Sequence, residues 1–353
     1  MVEHDQYEDP NDRDLLPPQL DMGPSARMAR WLNNKFPRAY AAASLIPRLL
    51  LSVLWIRKLE AGGMGKRLSR LDFAAHRTSD TVFVFGTGSS INAYPDAWWD
   101  VVDRHDSIGM NFFLLHEHVP TFHVMEDVHG VRARLLERRY LEKGDYVGTP
   151  LIVKTQVTNL SSKRVTERID ELADLHQQIR SGTYLSVDLL AAGKTVDDME
   201  ASYRTLARWG LWRPKRRFLL VSKRRGSVSY VINLAVRAGY RTIVLCGVDL
   251  NHTEYFYDSR RDEFAAEGIP VPINDEVGPV HSTNDPEENP VTIHDVILTI
   301  DRTILKPAGI QLVVGSETSA LYPQLSRFDW ERASAGTDRP DPIDASGMSH
   351  GHE

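Results

Sequence analysis

Cysteine is nearly absent from this sequence of 353 residues, and the single one, Cys246, lies inside an apolar stretch. One cysteine excludes both an intramolecular disulfide and a cysteine-based zinc site. Its apolar neighbours indicate a small residue buried in the core. The scarcity of cysteine is typical of a cytoplasmic protein, because thiols stay reduced in that compartment.

The sequence also lacks an excess of basic residues. It contains 42 Lys and Arg against 48 Asp and Glu, which gives a net charge of -6. Domains that bind nucleic acid in general carry a basic stripe over the working face, so no nucleic-acid partner is expected. The hydrophobic fraction of 42% is ordinary for a globular protein with a large core.

A long hydrophobic run is missing as well. The most apolar stretch, Leu45–Lys58, is too short and too interrupted by Pro47 and Arg48 to span a bilayer about 30 Å thick. It lies in a basic region, residues 26–75, between an acidic, proline-rich N-terminus, residues 1–25, and the body of the chain. This pattern predicts an amphipathic helix in the membrane interface, which would attach the protein peripherally to the inner face of a membrane. A helix packed on the domain's own surface is the alternative.

The two ends of the chain differ in composition from the body. Residues 1–25 and the polar tail, residues 333–353, show no apolar period and are predicted to be disordered. The folded body is predicted to cover residues 76–332, with a loop insertion at 250–290 that is rich in Tyr, Pro and acidic residues. Long loops of this kind in compact domains are usually lids or binding loops.

Helical and strand-like segments alternate along the body. This alternation predicts an α/β fold with a mostly parallel, doubly wound, Rossmann-like sheet. The predicted strands are Thr81–Phe85, Asp106–Gly109, Pro120–Met125, Leu151–Lys154, Phe218–Val221, Thr242–Cys246 and Gln311–Val314. The predicted helices are Val131–Lys143, Ser162–Arg180, one within Thr183–Gly210, Ser227–Ala238 and Val291–Lys306.

The stretch Arg224–Asp258 organises the prediction, because it holds a helix, a central strand and a loop in one piece. Ser227 is placed to cap the helix, and Gly239 is placed to end it. The strand Thr242–Cys246 is followed by Gly247-Val248-Asp249. Ligands of open α/β sheets bind at the carboxyl ends of such strands.

A glycine turn follows the first predicted strand of the body and reads Gly86-Thr87-Gly88-Ser89-Ser90. Its amides and hydroxyl groups could cradle an anion at a helix N-terminus. The turn lacks the third glycine of a dinucleotide fingerprint and the Gly-Lys-Ser/Thr of a P-loop, so neither NAD nor ATP is indicated. A tight turn that binds no ligand is the alternative.

Histidines gather between the second and third predicted strands, next to Glu126 and Asp127. His116 and His118 would point to different sides of a regular element, and His123 alternates with apolar neighbours like a buried strand residue. This spacing does not match a metal site, and none is expected.

Four segments, in this order, resemble the bacterial sialyltransferases of glycosyltransferase family 42. They are VFVFGTGSS, GMN around Asn111, RRGSVSYVINLAVRAGYRTIVLCGVDL, and HSTN followed by a helix and a closing strand. The resemblance covers roughly Thr81 to Leu325, and the third segment is its most specific part.

The resemblance implies an inverting, metal-independent transfer of sialic acid from CMP-sialic acid to a sugar hydroxyl. It makes His281 the general base and places Arg224 and Ser227 near the sugar carboxylate and the acceptor. Tyr255 and Tyr257 are the approximate matches for lid tyrosines at the leaving phosphate. The nucleotide site would comprise Gly86, Thr87, Gly88, Ser89, Asn111, Glu126, Ser227, Gly247, Asp249 and Asn251. A nucleotide-sugar donor, a glycan or lipid-linked acceptor and no further cofactor are the expected ligands, and an oligomer is compatible with the sequence.

Four positions depart from the family pattern. Thr87 and Ser89 replace the usual Asn and Pro of the turn, Asn251 stands at one lid-tyrosine position, and Glu126 replaces an Asn near the nucleotide. Another CMP-activated sugar acid or a different nucleotide sugar therefore stays open as the donor.

Two other functions also stay open. One is a pyrophosphokinase-like transferase with Mg²⁺ on Glu126, Asp127 and Asp249, and the other is an inactive nucleotide-binding or membrane-scaffolding protein.

Overall fold

The structure is a computed structural model. It describes residues 37–126, 128, 130–155, 173–191, 193–273, 280–287 and 289–335. The chain divides into two units, Met1–Leu50 and Leu51–Glu353, and each is described by itself. The predicted disordered N-terminus, residues 1–25, and residues 336–353 of the predicted tail lie outside the described residues, as does Asp127.

The first helix, α1, comprises Pro37–Ala61. In the part that belongs to the second unit, Ser52, Ile56 and Leu59 are buried, at a spacing that places them on one side of the helix. Leu51 and Leu54 lie on the other side and are 61% and 58% exposed. Among the described helices, not one is both long and apolar enough to cross a membrane.

A nine-stranded sheet forms the centre of the second unit, and every strand pair in it is parallel. The strands are β1 Lys66–Arg67, β2 Thr81–Phe85, β3 Asp106–Met110, β4 Phe122–Met125, β5 Leu151–Thr155, β6 Thr183–Leu190, β7 Leu220–Lys223, β8 Thr242–Cys246 and β9 Gln311–Val314. Their order is β1-β6-β5-β4-β3-β2-β8-β9, and β7 also pairs with β6. The predicted α/β fold with a mostly parallel sheet is confirmed.

The strand order reverses beside β2. From β2 the chain moves outward through β3, β4, β5 and β6 on one side, and it returns to β8 and β9 on the other. Because parallel crossovers are right-handed, the connections on the two sides cover opposite faces of the sheet. The carboxyl ends of β2 and β8 therefore flank the crevice where open α/β sheets bind their ligands.

The helices that accompany the sheet are short, apart from two. They are α2 Phe73–His76, α3 Asp96–Val102, α4 Gly130–Glu137, α5 Val196–Arg208, α6 Ser227–Ala238, α7 Arg261–Ala266, α8 Ile293–Ile300 and α9 Trp330–Ser334. Residues 173–178 are also helical. Wider turns extend α4 through Arg138–Glu142 and α8 through Asp301–Leu305. The predicted helices Val131–Lys143 and Val291–Lys306 correspond to these extended segments.

The core consists of apolar strand residues covered on both faces. Four of the five residues of β2 and of β8 are fully buried or nearly so, as expected for central parallel strands. Helix α6 buries Val228 to Ala238 and ends at Gly239, whose φ of 99° lies in the left-handed region. The predicted end of this helix is thus observed.

Candidate active site

The glycine turn after β2 packs tightly on the end of β8. The amide of Gly86 donates to the Cys246 carbonyl at 2.8 Å, and the amide of Gly88 donates to the Gly247 carbonyl at 2.8 Å. A Cβ at Gly86 would collide with the Gly247 carbonyl, and a Cβ at Gly88 would collide with the Asp249 carboxylate. Gly247 has a φ of 62°, a conformation that favours glycine. The glycines are therefore required by this close approach of two strand ends.

Asp249 fixes the turn from the β8 side. Its carboxylate is buried and accepts hydrogen bonds from the Ser90 amide at 3.0 Å and from the Ser90 hydroxyl at 2.5 Å. His252 Nε2 lies 3.3 Å from Asp249 Oδ2. Asp249 thus connects the glycine turn to the beginning of the predicted lid.

The lid folds back over the same turn. The Phe256 amide donates to the Thr87 carbonyl at 2.9 Å, and Tyr255 forms an isolated antiparallel bridge with Gly88. Tyr255 Oη lies 3.5 Å from His281 Nε2. The structure therefore brings together Gly88, Tyr255 and His281, which the sequence assigns to one site.

Two further lid residues support this arrangement. The Tyr257 ring stacks on Tyr255 with a centroid distance of 5.3 Å. Burial raises the pKa of Tyr257 well above its ordinary value, so this phenol keeps its proton. On the other side, Thr283 Oγ1 lies 3.0 Å from His281 Nδ1 and holds the imidazole ring in place.

A second group of polar residues lies at the carboxyl ends of β3 to β7. Asn111, directly after β3, has a φ of 48°, and its carbonyl accepts a hydrogen bond from His123 Nε2 at 3.1 Å. Its side-chain Nδ2 donates to Ser227 Oγ at 3.3 Å. The Lys154 ammonium donates to the same Ser227 Oγ at 2.6 Å.

Glu126 lies between two lysines. Its Oε1 accepts hydrogen bonds from the Lys154 ammonium and, at 2.9 Å, from the Lys223 ammonium. Burial alone would raise the pKa of Glu126, but the two ammonium groups hold it well below its usual range. The negative charge that the sequence places near the nucleotide is thus balanced within the protein.

Lys154 is the most deeply buried member of this group, with no exposed side-chain surface, whereas 30% of the Glu126 side chain is exposed. Burial lowers the pKa of Lys154 to about 8 and outweighs the attraction of Glu126. Asp188 points to the same face of the sheet, because β6 pairs in register with β5 and β7. Burial raises the pKa of Asp188 to about 6, although Lys223 and Lys154 act in the opposite direction.

We call Glu126, Lys154, Asp188, Lys223 and Ser227 the strand-end cluster. The sequence-based prediction names Glu126 and Ser227 but misses the other three residues. One signal could have found the lysines: the buried segments LIVK and LVSK both place a Lys near the carboxyl end of an apolar strand. A charged residue at that position of a parallel strand points to a ligand site.

Two residues that the sequence assigns to the site, Arg224 and Asn251, form hydrogen bonds with other parts of the chain. The Arg224 guanidinium donates to the carbonyls of Ala191 and Gly193, at 3.3 and 2.5 Å, and so holds the loop after β6. Asn251 is exposed, and its amide donates to the Thr318 carbonyl at 2.7 Å, beyond β9.

Ser227 is not the cap of α6. The N-cap is Gly226, and Ser227 is the first helical residue. Its hydroxyl is engaged by Lys154 and Asn111 instead of by the first turn of the helix.

The described residues contain no group of three or more His, Cys, Asp and Glu side chains that could hold a metal ion. The carboxylates named for Mg²⁺ in the pyrophosphokinase alternative have other partners. Glu126 contacts two ammonium groups, and Asp249 contacts Ser90 and His252.

Among the histidines that the sequence places near Glu126, His116 packs against the rings of Trp99 and Phe113, with centroid distances of 4.6 and 4.9 Å.

No protein-family model and no curated protein matches this chain. Three solved structures show similarity that covers 70% of it. A variant of the sialyltransferase CstII in complex with CMP is 12% identical, covered over 86% of its length, with a TM-score of 0.40. The monofunctional α-2,3-sialyltransferase Cst-I from Campylobacter jejuni is 14% identical, covered over 80%, with a TM-score of 0.40. CstII from Campylobacter jejuni in complex with CMP-3FNeuAc is 13% identical, covered over 85%, with a TM-score of 0.38. These values are too low to assign a family.

Proposed function

We propose that this protein is an inverting glycosyltransferase that moves sialic acid or a related sugar acid from a CMP-sugar to a hydroxyl of a glycan or lipid-linked acceptor. The observation that carries this proposal is the meeting of His281 and Tyr255 over the glycine turn at the carboxyl end of β2. The glycine turn and His281 come from two of the four sequence segments that resemble the sialyltransferase family, and Tyr255 is the approximate match for one of its lid tyrosines.

In this proposal His281 is the general base. His281 Nδ1 accepts a hydrogen bond from the Thr283 amide at 3.3 Å and lies 3.0 Å from Thr283 Oγ1. Base action through Nε2 requires the tautomer that carries its proton on Nδ1, where Thr283 Oγ1 can accept it. Nε2 faces the Tyr255 hydroxyl at 3.5 Å. An acceptor hydroxyl that takes this place would give its proton to Nε2 while its oxygen attacks the anomeric carbon.

The donor would lie along the glycine turn and the end of β3. Negative charge develops on the leaving phosphate as the glycosidic bond breaks, and hydroxyl donors stabilise it. Tyr255 and Tyr257 stand at the turn, and the raised pKa of Tyr257 keeps that phenol a donor. Asn111 Oδ1 is buried and has no hydrogen-bond partner in the described part of the chain. It can accept a hydrogen bond from a ribose hydroxyl or from the cytosine amino group.

The test combines a binding panel with a variant. CMP, UMP, GDP and ATP are titrated calorimetrically, and CMP release from CMP-sialic acid is measured with a panel of glycan acceptors in the presence of EDTA. We expect CMP to bind and His281→Ala to retain that binding. The transfer rate of the variant should fall by about 10² to 10⁴, the usual loss of a general base.

His294→Ala is the matched control, because His294 is also half-buried and lies on the helix that follows the lid. It should keep the wild-type rate. If His281→Ala is fully active and His294→Ala is not, His294 is the base. If no cytidine nucleotide binds to the wild type, the proposed function is wrong.

A further inference from the structure

The Lys154 ammonium lies in a closed environment with three neighbours. It donates to Glu126 and to Ser227 Oγ, the latter at 2.6 Å, and it lies 5.6 Å from the centroid of the Tyr230 ring. An ammonium has three protons and no acceptor, so each of the three neighbours takes one direction. These contacts fix the ammonium, and while Lys154 is charged it acts as a donor to Ser227.

The Ser227 hydroxyl can act towards a further ligand only as a hydrogen-bond donor. A hydroxyl has two acceptor lone pairs and one proton. Lys154 occupies one lone pair, and Asn111 Nδ2, at 3.3 Å, occupies the other. The hydroxyl proton can then only be donated, and Ser227 is partly exposed at the edge of the sheet.

The charges around Ser227 favour a hydrogen-bond acceptor that is negatively charged. The two lysines balance Glu126 and an ionised Asp188, and the first turn of the twelve-residue helix α6, which begins at Ser227, adds partial positive charge. An oxygen atom of a carboxylate or a phosphate matches both the free proton and this field.

We propose that Lys154 is a positioning residue, which holds Ser227 as a hydrogen-bond donor to a carboxylate or phosphate oxygen of the substrate. The inference rests on the proposed function, because it assigns the donor's anionic group to this point of the site. Lys154 acts through Ser227 and does not touch the substrate.

The hydrogen bond between Lys154 and Ser227 reverses at alkaline pH. Burial lowers the pKa of Lys154 to about 8. Above this pH the neutral amine can accept the Ser227 proton, so the hydroxyl no longer donates it to the substrate. Glu126, Lys223, Asp188 and Tyr230 are the other charged or titratable groups facing Lys154. Substrate affinity should then fall as the pH rises through about 8.

The experiment compares Lys154→Met, Ser227→Ala and the double variant by calorimetric titration with CMP-sialic acid and with CMP. Each single variant should weaken binding by about tenfold to a hundredfold, the usual effect of one hydrogen bond to a charged group. The double variant should bind no more weakly than Ser227→Ala, because Lys154 acts through that hydroxyl. The exposed Lys143→Met is the control and should bind like the wild type.

The two ligands distinguish the two possible sources of the anionic oxygen. Weakening with CMP-sialic acid alone assigns Ser227 to the sugar carboxylate, whereas equal weakening with CMP assigns it to the phosphate. Wild-type affinity of Lys154→Met for both ligands, or additive effects of the two substitutions, would overturn the inference and leave the proposed function standing.

A pH series on proteins with intact Lys154 covers the case in which Lys154→Met does not fold. Wild-type affinity should decrease between pH 7 and 9, and that of Ser227→Ala should stay constant. A decrease of the same size in Ser227→Ala would contradict the inference. If the wild type binds neither ligand, it is the proposed function that fails.

Discussion

The neighbours of Gly88, and not its backbone conformation, require a glycine at this position. Its φ of -64° is open to any residue, but a Cβ would meet the Asp249 carboxylate and the Gly247 carbonyl. Gly88→Ala should therefore separate the turn from β8 and lower the free energy of unfolding by about 1 to 3 kcal/mol, as overpacking does. Urea unfolding measures this change, and CMP binding should weaken with it.

Gly148→Ala is the matched control for this substitution. Gly148 is exposed, and a Cβ there would meet nothing within 4 Å. Its urea midpoint should equal that of the wild type. Equal midpoints for both variants would mean that the turn can move away from Asp249 at no cost.

Asp188 makes the stability of the protein depend on pH. Its folded-state pKa of about 6 lies above the value near 4 of an unfolded chain. Below pH 4 the carboxyl is neutral in both states. Between pH 4 and 6 the unfolded chain ionises first, so Asp188 lowers the stability, and above pH 6 the full cost is about 3 kcal/mol. Asp188→Asn should gain this amount at pH 7 and almost nothing at pH 4.

The gain in the free energy of unfolding predicted for Asp188→Asn is measured by urea unfolding at pH 4, 5, 6 and 7. The exposed Asp100→Asn provides the comparison and should show no gain of this size at pH 7. A gain for Asp188→Asn that is constant across this range would show that the carboxyl ionises equally in the folded and the unfolded protein.

The sequence predicts the residues of the glycine turn and of the lid better than it predicts the strand-end cluster. The glycine turn, Tyr255 and His281 follow from the resemblance, and the structure brings them together. Lys154, Lys223 and Asp188 do not, because their interactions are long-range. Lys154 reaches Glu126 and Ser227, which are 28 and 73 residues away, and Lys223 reaches Glu126 over 97 residues. Strand register creates these contacts, and no local pattern in the sequence contains it.

At the scale of elements, β6 is the main difference from prediction. The segment Thr183–Gly210 is predicted to contain a helix, and α5 fulfils this, but the eight residues of Thr183–Leu190 form a strand. Ser186 and Asp188 give this strand a polar character that a fully covered strand usually lacks. The polar residues are accommodated because the strand-end cluster and Tyr230 lie on that side.

Helix α1 carries the prediction about membranes. Its inner stripe, Ile56 and Leu59, is buried, as the packed-helix alternative expects, while Leu51 and Leu54 are exposed. These two leucines, with the exposed Arg57 and Lys58, have the composition of an interfacial contact. Replacing both leucines by Gln should reduce sedimentation with anionic liposomes about tenfold. Wild-type binding should weaken as salt is added.

Removal of the whole helix would be a poorer experiment, because the loss of Ile56 and Leu59 uncovers the core. Ile273→Gln is the control, since Ile273 is 70% exposed elsewhere in the chain. It should sediment like the wild type. Equal sedimentation of the double Gln variant and the wild type would exclude a membrane contact through Leu51 and Leu54.

For the molecule as a whole, the sequence predicts seven of the nine strands and the class of the sheet. It does not predict that β1 and β7 both pair with β6. The two-residue β1 has no apolar run, and its position depends on residues more than a hundred positions later in the chain. Local periodicity indicates which segments are strands, whereas the order of edge strands depends on packing between distant segments.

The central position of β2 also has a consequence for synthesis of the protein. One edge of β2 pairs with β3, which follows soon after it, but the other pairs with β8, where Val82 meets Ile243 about 160 residues later. At about 5 to 20 residues per second, a ribosome takes roughly 10 to 30 s to supply that partner. During this time the apolar segment Val82–Phe85 presents an unpaired edge, which is a template for aggregation. Slower growth at low temperature and chaperones that cover exposed strands should therefore raise the soluble yield.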